Sequence, residues 1–157
     1  MTGRILLVGP LGDVPWMAAR DVADRLRGLG LEVDAHDPTA ADAVIPYPDP
    51  YNPRSERESF LPSFLVDRVK AFLRWRRAVR PVIGRYSSVL VWDPMIAVML
   101  RLARPARTCI VWTDTRPVVS DAWNAVLVRI VRAIADRVVT APDDDAWYAA
   151  VTKDDGA

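Results

Sequence analysis

The stretch YSSVLVWDPMIAVMLRLA, residues 86–103, sets an aspartate and a proline between two apolar runs. VLVW is short, rich in valine and apolar on both faces, so it reads as a buried strand. PMIAVMLRLA opens on a proline, whose backbone is pre-set for the first turn of a helix. An apolar strand passing directly into an apolar helix is the βα step of a parallel sheet covered on both faces. Asp93 stands at the joint. It has two possible uses there: a carboxylate delivered to the rim where open α/β sheets bind ligands, or an N-cap for the next helix.

The same step recurs along the chain. RILLVG, residues 4–9, is a first strand closed by Gly-Pro, and residues 15–29 follow as a helix with Met17, Val22, Leu26 and Leu29 near one face. Asp13 can cap that helix, Pro15 suits its first turn, and Gly28 and Gly30 stop it. LEVDAHD, residues 31–37, is a second strand. DAVIPYP, residues 42–48, is a weaker third that Pro46 confines to an edge or a strand end. Residues 47–59 carry three prolines and charges of both signs, and are expected to form an exposed, mobile loop.

A long helix is expected over residues 62–85, with a kink or break at Pro81. The quoted strand and helix come next, then TCIVW at 108–112, a TDTRP loop and a helix over 118–135. DRVVTA, residues 136–141, is the last strand, and DDDAWYAAV begins a short final helix. The predicted fold is α/β: one Rossmann-like, doubly wound, mainly parallel sheet of about six strands with helices on both faces. Residues 1–142 form that domain, and residues 143–157 a short helix and tail.

Composition narrows the function classes. The 157 residues are 51% apolar and 26% charged, which is ordinary for a globular domain, and the net charge is +1. A balance so near zero gives no field that would favour nucleic acid. The lone cysteine, Cys109, excludes an intramolecular disulfide and is expected to be a buried, inert thiol in a reducing, cytoplasmic setting. Arg4 followed by ILLVGPL looks like the front of a signal peptide, but Gly9-Pro10 interrupts it, and a first strand explains it better. No apolar run approaches the roughly 20 residues of a membrane-spanning helix. One histidine and one cysteine do not make a metal-ligand cluster.

With these elements in order, the chain resembles the amino-terminal, acceptor-side half of a GT-B glycosyltransferase, in particular the large retaining family 4. RILLVGPLGD followed by a helix and GLEVDAHDP is similar to that family's opening strand, glycine-bearing loop, helix and second strand. FLRWRRAVRPVIGRY leading into SSVLVWDPMIAVMLRLA looks like its "R…YD-V-V-H-x-H-x" strand and helix. TCIVWTDTRP is similar to the next strand, and LVRIVRAIADRVVTAP resembles the "A-D-R-V-V-x-x-S" strand that closes the amino-terminal domain. The resemblance implies a nucleotide-sugar donor held by a second Rossmann domain, whose "E-x-seven-E" carboxylates this sequence does not contain. It therefore implies one subunit of a split transferase, or an incomplete transferase lacking the nucleotide-sugar domain, with no cofactor bound by this chain alone and a donor-binding protein as partner. The histidines expected after the fourth and fifth strands are replaced by Trp92-Asp93 and Thr113-Asp114, and the closing serine by Ala141-Pro142. The rival expectation is a non-enzymatic binding or regulatory protein that keeps the fold and pairs with another protein or with itself.

The candidate acceptor-binding residues are Gly12, Asp13, His36, Asp93, Asp114 and Arg116, all at predicted carboxyl ends of strands. Asp93 and Asp114 follow apolar strands about 20 residues apart, so neighbouring strands could present both at one rim and hold an acceptor hydroxyl. Residues 9–13, GPLGD, lack the spacing of a dinucleotide loop, and Asp13 would repel a pyrophosphate; an ordinary tight turn or an acceptor contact are the remaining readings. His36 suits acid–base work, or is simply structural at a strand end. Arg116 offers a fork for a phosphate or carboxylate, or is a surface arginine. Asp143 to Asp145 cap a helix or are solvated. In the long helix, Leu65, Val69, Phe72, Val79 and Ile83 fall on one stripe, Lys70, Arg74 and Arg77 lie opposite, and Arg76 intrudes on the stripe. Arg74, Trp75 and Arg77 are membrane-surface candidates for peripheral contact with an anionic bilayer. The plainer alternative is a helix packed on the sheet with a solvated basic face.

Overall fold

A computed structural model of the protein describes residues 3–9, 11, 19–38, 40, 43, 45, 62–103, 108–114, 122–140 and 143–152. In chain order the elements are β1 (Ile5–Val8), α1 (Ala19–Gly28), β2 (Val33–His36), α2 (Pro62–Ile83), β3 (Ser88–Val91), α3 (Pro94–Ala103), β4 (Cys109–Thr113), α4 (Ala122–Ile134), β5 (Arg137–Val139) and α5 (Asp144–Thr152). The strands form one sheet in the order β2-β1-β3-β4-β5, and every pairing is parallel. The fold is α/β and Rossmann-like.

The reason lies in the period-two alternation of strands that are apolar on both faces. Leu6, Val8, Val89, Val91, Ile110 and Trp112 point into a core shared with α2, α3 and α4. Ile5, Leu7, Leu90, Val111 and Val139 point the other way, into a core shared with α1 and α5. All four residues of β1 and of β3 are buried, as central parallel strands require. Edge strand β2 relaxes this rule: Val33 is buried, while Asp34, Ala35 and His36 are only partly so.

The termini of the helices follow local chemistry. α1 ends in a Schellman motif, with Gly30 N–H donating to the Arg27 carbonyl and Leu31 N–H to the Leu26 carbonyl. Gly30 has a φ of +85°, the left-handed region where a β-carbon is strained. Leu26 and Leu31 are both buried in the α1/α5 core, the apolar contact that accompanies this cap. At the amino-terminal end of the sheet, Tyr86 donates to Asp34 Oδ2 at 2.8 Å. Arg4 Nε lies 2.9 Å from Glu32 and 3.2 Å from Asp34, with its guanidinium 5.9 Å from the centre of the Tyr86 ring. Burial, and then the bond to Asp34, push the Tyr86 phenol above its ordinary value.

Several expectations are corrected. The sheet has five strands among the described residues, not six. The proposed third strand, 42–48, falls mostly outside the described residues; Ala43 and Ile45, which are described, are not in a strand, although Ile45 is fully buried. Pro81 does not split the long helix, because it falls in the last turn, where the N–H that proline lacks serves only the end of the ladder. The buried stripe of α2 is also rotated from the predicted one: Trp75 joins Val79 and Ile83 in the core at 7% exposure, and Phe72 stacks on it, whereas Val69 is 58% exposed. Trp75 is therefore not a membrane-surface residue. Cys109 is half-buried rather than fully enclosed. The predicted loop at 47–59 lies outside the described residues.

Candidate functional site

Strand order reverses between β1 and β3: the chain leaves β1 for β2 on one side, then returns to the other side as β3. In open α/β sheets, ligands bind at such a reversal, beyond the carboxyl ends of the strands. The register sets those ends level, with Val8 beside both His36 and Val91, and Val91 beside Trp112, which in turn pairs with Val138. Three backbone bonds carry the ladder onto the rim: Gly9 N–H to His36, Trp92 N–H to Val8, and Asp114 N–H to Val139. His36, Asp93 and Asp114 therefore stand along one lip. Gly12, Asp13 and Arg116 lie outside the described residues.

Asp93 starts α3. Its Oδ1 accepts from Met95 N–H at 2.8 Å and Ile96 N–H at 3.1 Å, which satisfies two donors that an open helix end would leave without partners. The capping use raised by the sequence is real. Asp114 continues β4, and its Oδ2 pairs with Arg132 of α4. Its side chain is 20% exposed and that of Arg132 57%, so the pair faces solvent at the rim. His36 ends edge strand β2, half-buried, with its carbonyl holding Gly9. Asp143 caps α5, its Oδ1 accepting from Asp145 N–H at 3.2 Å, and both side chains remain exposed.

Two rim residues were not among the candidates. Trp92 is fully buried and packs close against Gly9: a β-carbon on Gly9 would meet Trp92 Cε3 at 2.8 Å, Cδ2 at 3.0 Å and the Ala19 β-carbon at 3.1 Å. At Gly9 itself the close approach is made by an indole of the same chain; of residues 9–13 only Gly9 and Leu11 are described. Thr113 follows Val111 in the alternation and so shares the face of Trp92, its neighbour in the extended register. Its hydroxyl is fully buried and has no hydrogen-bond partner among the described residues, and the same holds for the indole N–H groups of Trp92 and Trp147. Buried polar atoms left without partners are rare and concentrate where a fold serves something besides stability. Sequence could not show this, because a partner's absence is a property of the packed neighbourhood; the only signal was a hydroxyl at the end of an apolar strand.

The rim thus gathers carboxylates, an imidazole and a hydroxyl on a rigid base. Carboxylates accept hydrogen bonds and repel phosphate, so the arrangement suits a hydroxyl-rich neutral ligand better than a nucleotide. Among the described residues no group of three or more His, Cys, Asp or Glu side chains could hold a metal ion. Comparison with known proteins finds no matching family model, curated protein or solved structure.

Proposed function

We propose that these residues form the acceptor-side domain of a sugar transferase, with the nucleotide-sugar held by a donor-binding domain on a partner. The supporting observation is the level parallel register that aligns His36, Asp93 and Asp114 along one lip at and beside the strand-order reversal. Glycosyl transfer needs the donor pyrophosphate stabilised and the acceptor hydroxyl held within reach, and two domains can divide those tasks. A rim rich in acceptors suits the second task. Asp93 and Asp114 would hold acceptor hydroxyls, and His36 would border them from the edge strand.

The test is a backbone NMR titration of the whole chain with a panel of mono- and disaccharides, with nucleotide-sugars added in parallel. Shifts at Gly9, His36, Asp93 and Asp114 with one sugar class support the reading. Shifts confined to the Arg4–Asp34–Tyr86 end, or hydrolysis of a nucleotide-sugar by this chain alone, refute it. A second reading, a non-enzymatic protein that retains the fold and pairs with another protein, draws on a separate observation. Asp93 and Asp114 both already hold bonds within the chain, as they would if the rim served stability alone.

A further inference from the structure

Charge in this molecule is segregated. α2 carries Arg68, Lys70, Arg74, Arg76, Arg77 and Arg80 against the single acid Asp67, a net of +5. Since the whole chain totals +1, the remaining residues sum to −4. The helix buries Trp75, Val79 and Ile83 against the sheet, yet its outer face is not uniformly polar. Val66, Val69 and Leu73, spaced three and four apart, are each between 51% and 58% exposed. Arg77 and Arg80 continue that same ridge by helical spacing, and Lys70 and Arg74 flank it. Lys70, Arg74, Arg77 and Arg80 make no ion pair among the described residues.

The ridge also borders hollows. Lys70, Leu73, Arg74, Arg77 and Ala78 line a cleft of about 540 Å³. Leu73, Arg76, Arg77, Arg80 and Pro81 line a second of about 360 Å³, which shares Leu73 and Arg77 with the first. Both join aliphatic wall to guanidinium groups, and the first adds the Lys70 ammonium. That combination matches a phosphate headgroup with the first carbons of its chains.

We propose that the outer face of α2 docks on an anionic phospholipid bilayer, with Val66, Val69 and Leu73 entering the headgroup boundary and Lys70, Arg74, Arg77 and Arg80 meeting lipid phosphates. The inference is independent of the acceptor-side reading. An acidic protein would share the charge complementarity, but protein interfaces are anchored by aromatic side chains in a desolvated centre. Among the described side chains of α2 the aromatic ones are withheld: Trp75 is buried and Phe72 stacks on it with ring centres 6.1 Å apart. Long flexible cations around isolated aliphatics need no fixed partner geometry, and fluid headgroups supply none. Juxtamembrane basic residues act within a Debye length of the surface, and four of them along one helix give a salt-dependent attachment.

The experiment is flotation of the full chain with vesicles of pure phosphatidylcholine or containing about 30% phosphatidylglycerol. Partition onto the anionic vesicles should be at least roughly tenfold stronger, and should collapse when ionic strength reaches roughly 0.5 M. Lys70→Gln/Arg74→Gln/Arg77→Gln should lose that advantage, and Val69→Ser/Leu73→Ser should weaken it several-fold at unchanged charge. Arg20→Gln/Arg129→Gln, exposed and outside α2, keeps binding and controls for folding and bulk charge. Equal partition onto both vesicle types, or binding unaffected by the triple variant, overturns the proposal. Soluble polyglutamate bound as tightly as the vesicles, indifferent to Val69 and Leu73, overturns it in favour of an acidic protein. Inorganic phosphate that displaces the chain at low concentration overturns it in favour of a free-phosphate site.

Discussion

Replacing Asp93 separates its two uses, because alanine and asparagine remove different things. Alanine deletes the oxygen that accepts from Met95 and Ile96, a loss of about 1 kcal/mol for an N-cap. It also deletes a negative charge at the amino terminus of α3, worth about 0.5 kcal/mol at a partly exposed site. The sum, about 1.5 kcal/mol, lowers Tm by roughly 3–6 °C in a chain of this size. Asparagine caps nearly as well as aspartate and loses only the charge, so it should cost about 0.5 kcal/mol. Urea titrations of the three proteins should give midpoints in the order wild type, Asn, Ala, with equal slopes. If the two variants are equally destabilised, the cap contributes nothing and the geometry around Met95 N–H has been misread. If Asn matches wild type in stability yet loses the sugar-induced shifts at the rim, the charge serves the ligand.

Thr113→Val should stabilise the fold by about 1 kcal/mol, because it replaces a buried hydroxyl that has no partner among the described residues with a methyl group; loss of stability in thermal melts would show that the hydroxyl is bonded. Gly30→Ala should cost about 1 kcal/mol from backbone strain alone, since a β-carbon there meets nothing within 4 Å; an unchanged urea midpoint would contradict the Schellman cap. Tyr86 has a folded-state pKa raised from 10.0, so the stability it contributes is complete below pH 10 and drains away as pH passes the raised value. Tyr86→Phe should lose the bond to Asp34 and flatten that alkaline decline, which stability measured across alkaline pH would reveal.

The fold was legible where burial is total and connections are short. Residues 86–103 gave strand, cap and helix, the strand within one residue of β3, because β3 and α3 are apolar but for Ser88 and Arg101 and a single aspartate–proline pair divides them. α2 was legible as a helix but not in its rotation. Periodicity placed Val69 in and Trp75 toward solvent, yet an indole repays burial more than a valine does, and the helix turned accordingly. The count of six strands failed at DAVIPYP, a short apolar run whose two prolines weaken a strand reading and whose burial at Ile45 needs no strand. At the rim, sequence supplied positions but not partners. Asp114 was visible at the end of β4, whereas Arg132, eighteen residues on, reaches it only through the return of α4. The orphan hydroxyl of Thr113 and the indole over Gly9 were invisible for the same reason.

The contact between Gly9 and Trp92 ties two distant positions of the chain into one inherited choice. Bulk can be placed on either side of that contact but not on both. Across any lineage descended from this chain, a side chain gained at position 9 should travel with a smaller residue at 92, and tryptophan at 92 should be found opposite glycine. Such paired change would be a record of shape left in the genome, readable without a structure and unconnected to whatever the protein binds.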